Sequence, residues 1–241
     1  MTVTLAALAV AVYGLEVIFL TGEGGTDFSR WALSGRALQE GLWWTPVTHL
    51  FLHGSLLHLA VNVLALWFVG PEVEMMLGRV RYVVLYFVSG VMGGLLQTAF
   101  SAPTSELVGS SGSVCGVLLS FTTAYPEMPL RALLFFILPV SMKARTLGWG
   151  LIIGSLLCAV LRILPQIGHL AHLGGALTGV VLTRWWLPSA RPRYRPATTP
   201  SELQARTDEL LQRVMEEGIE SLSREERKAL EELAGRQPRR W

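Results

Sequence analysis

Two serines stand between glycines at the start of an apolar run, in the sequence Leu-Val-Gly-Ser-Ser-Gly-Ser-Val-Cys-Gly at residues 107–116. We interpret Ser111 as a nucleophile, because a serine hydroxyl attacks a carbonyl carbon once a neighbouring base takes its proton. His172 is the candidate base, and it is followed three residues later by a glycine. A serine and a histidine brought into contact would carry out acyl transfer.

The spacing of glycines indicates how the two residues meet. Gly112 and Gly116 are four residues apart, and so are Gly175 and Gly179. This spacing leaves one face of a helix without side chains, so that a neighbouring membrane helix can approach it backbone to backbone. If the two bare faces pack together, the serine and the histidine lie at the same end of the contact.

A third group of polar residues occurs in an apolar stretch near residue 60. His58 and Asn62 are four residues apart and therefore share one face of a helix. Polar residues at membrane depth are costly and usually face the interior of a bundle. If a helix begins at Ser111, its first backbone N–H groups have no intrahelical partner. These donors, with the side chains of His58 and Asn62, are expected to form an oxyanion hole.

Composition defines the class of protein. The chain has 241 residues, 51% of them hydrophobic. Residues 1–190 contain 9 Lys+Arg and 8 Asp+Glu, whereas the remaining 51 residues contain 11 and 10. We therefore predict a polytopic membrane domain over 1–190 and a charged cytosolic tail over 191–241. The net charge of +2 predicts no nucleic-acid partner.

Helical spans of about 20 apolar residues are needed to cross a bilayer. The candidates are six segments, at 2–20, 50–70, 81–100, 111–125, 146–162 and 169–187. Lys and Arg collect on one side of this topology, so the positive-inside rule predicts that both termini are cytoplasmic. We expect the protein to lie in the plasma membrane. The first span is expected to be retained, because no Lys or Arg precedes Arg30. The fourth span is short, which places Ser111 below the outer surface beside a water-filled cavity.

The tail carries two helix signals. An amphipathic helix is predicted from Pro200 to Gly218, and a capping box at residues 223–226 opens a second helix. We expect a small helical hairpin.

Three motifs resemble those of the rhomboid family of intramembrane serine proteases, over about residues 40–187. They are Gly109-Ser110-Ser111-Gly112, Ala171-His172-Leu-Gly-Gly175-Ala-Leu-Thr-Gly179 and His58-Leu-Ala-Val-Asn62. The resemblance implies an all-α bundle of six transmembrane helices that cleaves peptide bonds in or near transmembrane segments of membrane-protein substrates. It also implies that Ser111 is the nucleophile and His172 the general base, and that His58 and Asn62 bind the oxyanion with the Ser111 backbone. No metal or organic cofactor is implied, and the oligomeric state stays open.

The chain departs from the family pattern at two positions. Many members have an arginine after the tryptophan of the first loop, whereas Trp44 is followed by Thr45. Relatives often carry an aromatic residue one turn after the serine, where it stacks on the catalytic histidine. This chain has Cys115 there, so the orientation of His172 must depend on another contact.

The sequence leaves two other classes of protein as alternatives to a protease. The first alternative is a metal transporter, whose metal ligands would be the five histidines. No carboxylate lies among these histidines and no His-Glu-x-x-His motif occurs, which argues against a metal site. The five are His49, His53, His58, His169 and His172. A non-catalytic rhomboid-like protein that binds membrane clients typically lacks the serine or the histidine. Cys115 is interpreted as a packing residue. Glu16, inside the first span, is either part of a proton path or a carboxylate with a local partner.

Overall fold

The structure is a computed structural model that describes residues 1–20, 28–134, 138–164, 166–187, 200–223 and 227. The chain forms two compact units, Met1–Pro192 and Arg193–Trp241. The first unit is mostly helical. In chain order its elements are α1 (Thr2–Leu20), α2 (Gly35–Gln39), α3 (Thr45–Thr48), α4 (Leu56–Leu77), α5 (Arg79–Ala99), α6 (Ser111–Ala124), β1 (Pro129–Leu134), β2 (Leu138–Lys143), α7 (Ala144–Val160) and α8 (His169–Trp186).

Several of these helices suit a membrane. Within the described residues, three are long and apolar enough to cross a bilayer, at Thr2–Phe19, Leu56–Leu77 and Arg79–Ala99. Two shorter apolar helices, Ser111–Ala124 and Ala144–Val160, accompany them. With three such spans, the chain is a multi-pass integral membrane protein.

The second span was predicted at 50–70, whereas α4 begins at Leu56 and continues to Leu77. Residues before it form a buried connection whose apolar side chains, such as Leu50 and Leu52, pack inside the unit. Ser55 caps the helix, since its extended backbone lets its Oγ accept a hydrogen bond from the His58 N–H at 3.2 Å. Hydropathy alone does not distinguish such a buried turn from the first turn of a span.

The segment before α4 is anchored by backbone and indole hydrogen bonds. The Trp44 Nε1–H donates to the carbonyl of Arg30 at 3.0 Å. Thr45 stands at the position after the tryptophan, where many relatives have arginine. It is fully buried, and its hydroxyl donates a hydrogen bond to the carbonyl of Leu42 at 2.9 Å. Leu33 exchanges two backbone hydrogen bonds with Leu107, which joins this segment to the loop before α6.

The centre of the bundle is the contact of α6 with α8. A Cβ atom at Gly175 would overlap the carbonyl oxygen of Gly112, and one at Gly179 would overlap that of Gly116. The backbones of the two helices therefore touch along these faces. The Thr183 hydroxyl extends the contact by donating to Ser120 Oγ at 2.7 Å. Helix α5 joins from a third side, where a Cβ atom at Gly93 would overlap the carbonyl of Ala171.

A β-hairpin lies between α6 and α7, where the all-α prediction contained no strand. Pro129–Leu134 pairs antiparallel with Leu138–Lys143, and Pro129 stands opposite Lys143. At its base, Glu127 accepts from Lys143 Nζ at 2.8 Å and from Arg145 Nη1 at 2.6 Å. These ion pairs join the end of α6 to the start of α7.

The second unit contains α9 (Pro200–Glu217), followed by a short 3₁₀ turn at Ile219–Ser221. Gly218 stands between them at a φ of +82°, the left-handed conformation that ends helices. Leu210 and Leu222 are buried within this unit. The predicted second tail helix falls outside the described residues, apart from Ser223 and Arg227, so the hairpin stays a prediction.

We expect Gly179→Leu to destabilise the protein, because the new side chain must occupy the position of the Gly116 carbonyl and push α6 from α8. Overpacking of this kind costs roughly 1–3 kcal/mol of unfolding free energy. Gly154→Leu on α7 is the matched control, since a Cβ atom there meets nothing within 4 Å. Thermal unfolding in detergent should show a lower midpoint for Gly179→Leu only; equal midpoints would contradict the packing argument.

Candidate active site

Ser111 is the first residue of α6, and the turn before it is held from two sides. Gly109 has a φ of +115°, a conformation that other residues rarely adopt. Its N–H donates to the carbonyl of His49 at 2.8 Å, and a Cβ atom on it would overlap the ring of His58. The backbone therefore approaches the His58 ring closely just before the serine, and only glycine leaves room for that approach.

His172 lies in the first turn of α8. A side chain of α5 caps this helix, because Gln97 Oε1 accepts from the N–H groups of Leu170 at 3.0 Å and Ala171 at 3.3 Å. The Gln97 amide is itself fixed, since its Nε2 donates to Ser101 Oγ at 3.0 Å. The start of the histidine helix is thus located by a residue far away in the sequence.

The structure brings the serine and the histidine together. His172 Nε2 and Ser111 Oγ are 2.9 Å apart, in a partly buried position. When the imidazole carries its proton on Nδ1, Nε2 is the acceptor and the serine hydroxyl donates to it. A serine and a histidine at this distance could exchange the hydroxyl proton, which is the transfer that acyl chemistry requires.

The candidate oxyanion residues lie on α4, which packs against α6. The His58 ring is half-buried against Gly109, two residues before the serine. Asn62 is one turn further along α4 and buried, and its Nδ2 makes no hydrogen bond within the described part of the chain. A buried donor without an acceptor is costly, so this amide is prepared to bind an oxygen atom.

Three other histidines are held by backbone carbonyls. His49 Nδ1 lies 2.9 Å from the Thr45 carbonyl oxygen, His53 Nδ1 3.1 Å from that of Phe51, and His169 Nε2 2.8 Å from that of Ile163. Among the described residues, no three His, Cys, Asp or Glu side chains are grouped as metal ligands would be.

His53 connects the first span to the site, a role that our sequence analysis did not assign. Its backbone N–H donates to Glu16 Oε2 at 3.1 Å, so the carboxylate on α1 has a local partner. Its Nε2 lies 3.4 Å from Ser110 Oγ, and its ring meets that of His58 edge-on with centroids 5.2 Å apart. The spacing of His49, His53 and His58 before Asn62 is the sequence pattern that could have indicated this role of His53.

His169 provides a ring against the candidate base. The rings of His169 and His172 are perpendicular, with an interplanar angle of 88° and centroids 6.2 Å apart. Cys115, where relatives often have an aromatic residue, is instead buried in a small apolar cluster with Leu119 and Ala176. A ring contact to His172 thus comes from its own helix, three residues earlier.

Comparison with known proteins identifies the class that this fold and site define. Residues 40–189 match the family model of the Rhomboid domain. The chain therefore belongs to the rhomboid family.

Named relatives include the rhomboid protease GluP of Bacillus subtilis (strain 168), 32% identical over 145 residues, which are 59% of this chain and 26% of the relative. RHOMBOID-like protein 2 of Arabidopsis thaliana is 31% identical over 66% of this chain and 46% of its own. The rhomboid protease GlpG of Yersinia pestis (strain Pestoides F) is 30% identical over 77% of this chain and 62% of its own. The chain thus spans less than two thirds of each of these relatives. Two of these three relatives are named as rhomboid proteases.

We expect Gln97→Leu to slow the reaction of Ser111 with a fluorophosphonate serine-hydrolase probe. The leucine removes the acceptor for two N–H groups of α8. Each N–H group left buried and unpaired lowers the stability of the folded state by about 1–3 kcal/mol. Gln97→Glu keeps a side-chain oxygen at the same distance along the chain and should retain most of the labelling rate. Equal labelling rates for wild type and Gln97→Leu would show that the cap does not position the histidine.

The ring contact of His169 makes a separate prediction. His169→Ala removes the ring and should lower the labelling rate by roughly two- to tenfold, the factor that corresponds to an aromatic contact of about 0.5–1.5 kcal/mol. His169→Phe restores an edge-on ring without the hydrogen bond to Ile163 and should recover most of the rate. If the phenylalanine variant is as slow as the alanine variant, the hydrogen bond and not the ring orients His172.

Proposed function

We propose that this chain is an intramembrane serine endopeptidase that hydrolyses peptide bonds in or near transmembrane segments of membrane-protein substrates. The observation that carries the proposal is the 2.9 Å contact of Ser111 Oγ with His172 Nε2 inside a multi-pass membrane protein. A nucleophile, its base and a row of hydrogen-bond donors are the parts that acyl transfer requires. The catalytic residues are a dyad, and no cofactor takes part in the proposed reaction.

In the first half of the reaction, His172 Nε2 accepts the proton of the Ser111 hydroxyl as Oγ attacks the substrate carbonyl carbon. The carbonyl oxygen becomes an oxyanion. The backbone N–H of Ser111, the His58 ring and the Asn62 amide donate hydrogen bonds to it. His172 then gives its proton to the leaving amine as the peptide bond breaks, which leaves an acyl ester on Ser111.

In the second half, a water molecule replaces the amine. His172 takes one proton from the water as its oxygen attacks the ester carbon, and the same oxyanion donors act again. When the ester bond breaks, His172 gives that proton to Ser111 Oγ, and the product leaves as a carboxylic acid that loses its remaining proton to water. The unpaired Nδ2 of Asn62 supports its assignment, since it has a hydrogen bond to give and no partner among the described residues.

The proposal includes a topology. Helices α1, α4, α5, α6, α7 and α8 are the six spans, and both termini are cytoplasmic in the plasma membrane, with the tail 191–241 as a cytosolic helical hairpin. The positive-inside rule supports this orientation, because Arg79, Arg145 and Arg184 fall at one end of the spans. Ser111 and His172 then lie toward the outer face.

Substrate choice follows from the position of the dyad. A peptide bond within a helix is shielded by its own turn, and unwinding in lipid leaves unpaired N–H and C=O groups at several kcal/mol each. A wet cavity near the outer face is the least costly place to unwind. We therefore propose that the cut lies near the outer end of the substrate's span, after a small side chain, and that nearby Gly, Pro or polar residues promote it.

Single substitutions of the dyad test the enzyme assignment. Ser111→Ala and His172→Ala should each lower cleavage of single-span substrates in liposomes by a factor of roughly 10⁴ or more, since each removes half of the relay. Ser155→Ala on α7, away from the dyad, is the matched serine control and should cleave at the wild-type rate. Wild-type activity should also fall on acidification, because a protonated imidazole cannot accept the serine proton.

Two outcomes would reject the proposal. Near wild-type cleavage by either dyad variant would exclude the mechanism. Binding of the same substrates without cleavage by the folded wild type would instead favour a non-catalytic rhomboid-like protein.

A further inference from the structure

A second site lies at the other end of α6 from Ser111. There a cavity of about 710 Å³ opens between α6, α7 and α8. Its walls include Leu119, Ile152, Leu177 and Val180, and it is also lined by two exposed arginines, Arg145 and Arg184.

Short side chains and glycine form part of the cavity wall, at Thr122, Gly148 and Thr183. Helix α6 meets α7 where a Cβ atom at Gly148 would lie 2.6 Å from Thr122 Oγ1, and α6 itself ends at Ala124.

The cavity mouth has a surplus of positive charge. Glu127 is shared by Lys143 and Arg145, and the hydrogen bond from Lys143 with the charge of Arg145 holds the pKa of Glu127 below its usual range. Arg184 has no ion pair within the described part of the chain. Three cations thus stand against one carboxylate, and the guanidinium of Arg184 is available to a ligand.

We propose that this cavity binds an anionic phospholipid, with the phosphate at Arg184 and Arg145 and an acyl chain along the leucine, isoleucine and valine wall. Guanidinium groups bind phosphate oxygens in pairs of parallel hydrogen bonds, which makes them suited to this headgroup. Basic pockets between transmembrane helices bind anionic headgroups in this way.

The depth of the site supports a lipid over other occupants. Trp185 and Trp186 directly follow Arg184, and tryptophans at the end of a span mark the headgroup level. The charged groups therefore lie at the height of lipid phosphates, and the apolar wall extends from there along α6, α7 and α8. A volume of about 710 Å³ holds a headgroup and the first part of one acyl chain. The inference depends on the membrane fold and not on the proposed catalysis.

The test is lipid binding by the purified full chain in detergent, measured by native mass spectrometry with phosphatidylglycerol and phosphatidylcholine of identical acyl chains. The wild type should bind phosphatidylglycerol more tightly. Each arginine at a lipid headgroup contributes about fivefold in affinity, so Arg145→Ala with Arg184→Ala should weaken phosphatidylglycerol binding by about 25-fold and leave phosphatidylcholine unchanged.

Two further variants separate the cavity from general surface charge. Arg79→Ala removes an exposed cation that lies outside the cavity lining and should bind phosphatidylglycerol like the wild type. Val180→Trp keeps both arginines but fills the groove, and it should lose the preference while retaining the wild-type melting temperature. Equal binding of the two lipids by the wild type, an unchanged double variant, or an equal loss in Arg79→Ala would each overturn the proposal.

Discussion

The contact between the backbones of α6 and α8 is the constraint on which the rest of the structure depends. Because side chains are missing at Gly112, Gly116, Gly175 and Gly179, the two helices approach closely enough for a carbonyl of one to touch a Cα of the other. That approach fixes the first turns of both helices at one height. A hydrogen bond between the serine and the histidine then follows from the packing and needs no flexible loop to form.

Around this contact, polar groups are organised by backbone partners. His49, His53 and His169 each have one ring nitrogen against a carbonyl oxygen, which fixes the orientation of the ring. Asn62 is different, since its amide nitrogen is buried and unpaired among the described residues. Tyr82, Ser89 and Ser113 also have buried hydroxyls without a partner among the described residues, but Asn62 is the one that lies on the same helix face as His58.

Much of this arrangement could be predicted from sequence, because the information is local. Glycine spacing, the polar residues of the second span and the position of Ser111 at the start of an apolar run are all patterns within about ten residues. The start of α4 was predicted too early because Leu50 and Leu52 are as apolar in a buried turn as in a span. Gln97 and His53 were not recognised, since their partners lie at Leu170 and Glu16, far away in the chain, and one sequence does not reveal such pairs.

The capping of α8 by Gln97 has a consequence for how this family member can change. Since a glutamine on α5 caps the start of α8, the position of His172 does not depend on the connection between α7 and α8 alone. That connection takes an irregular path, with Arg162 and Leu164 both at positive φ, and the carbonyls of Ile163 and Ile167 lie within hydrogen-bond distance of His169. With α8 anchored from α5, the length of the connection is free to diverge between relatives, or to accept an inserted peptide, without moving His172.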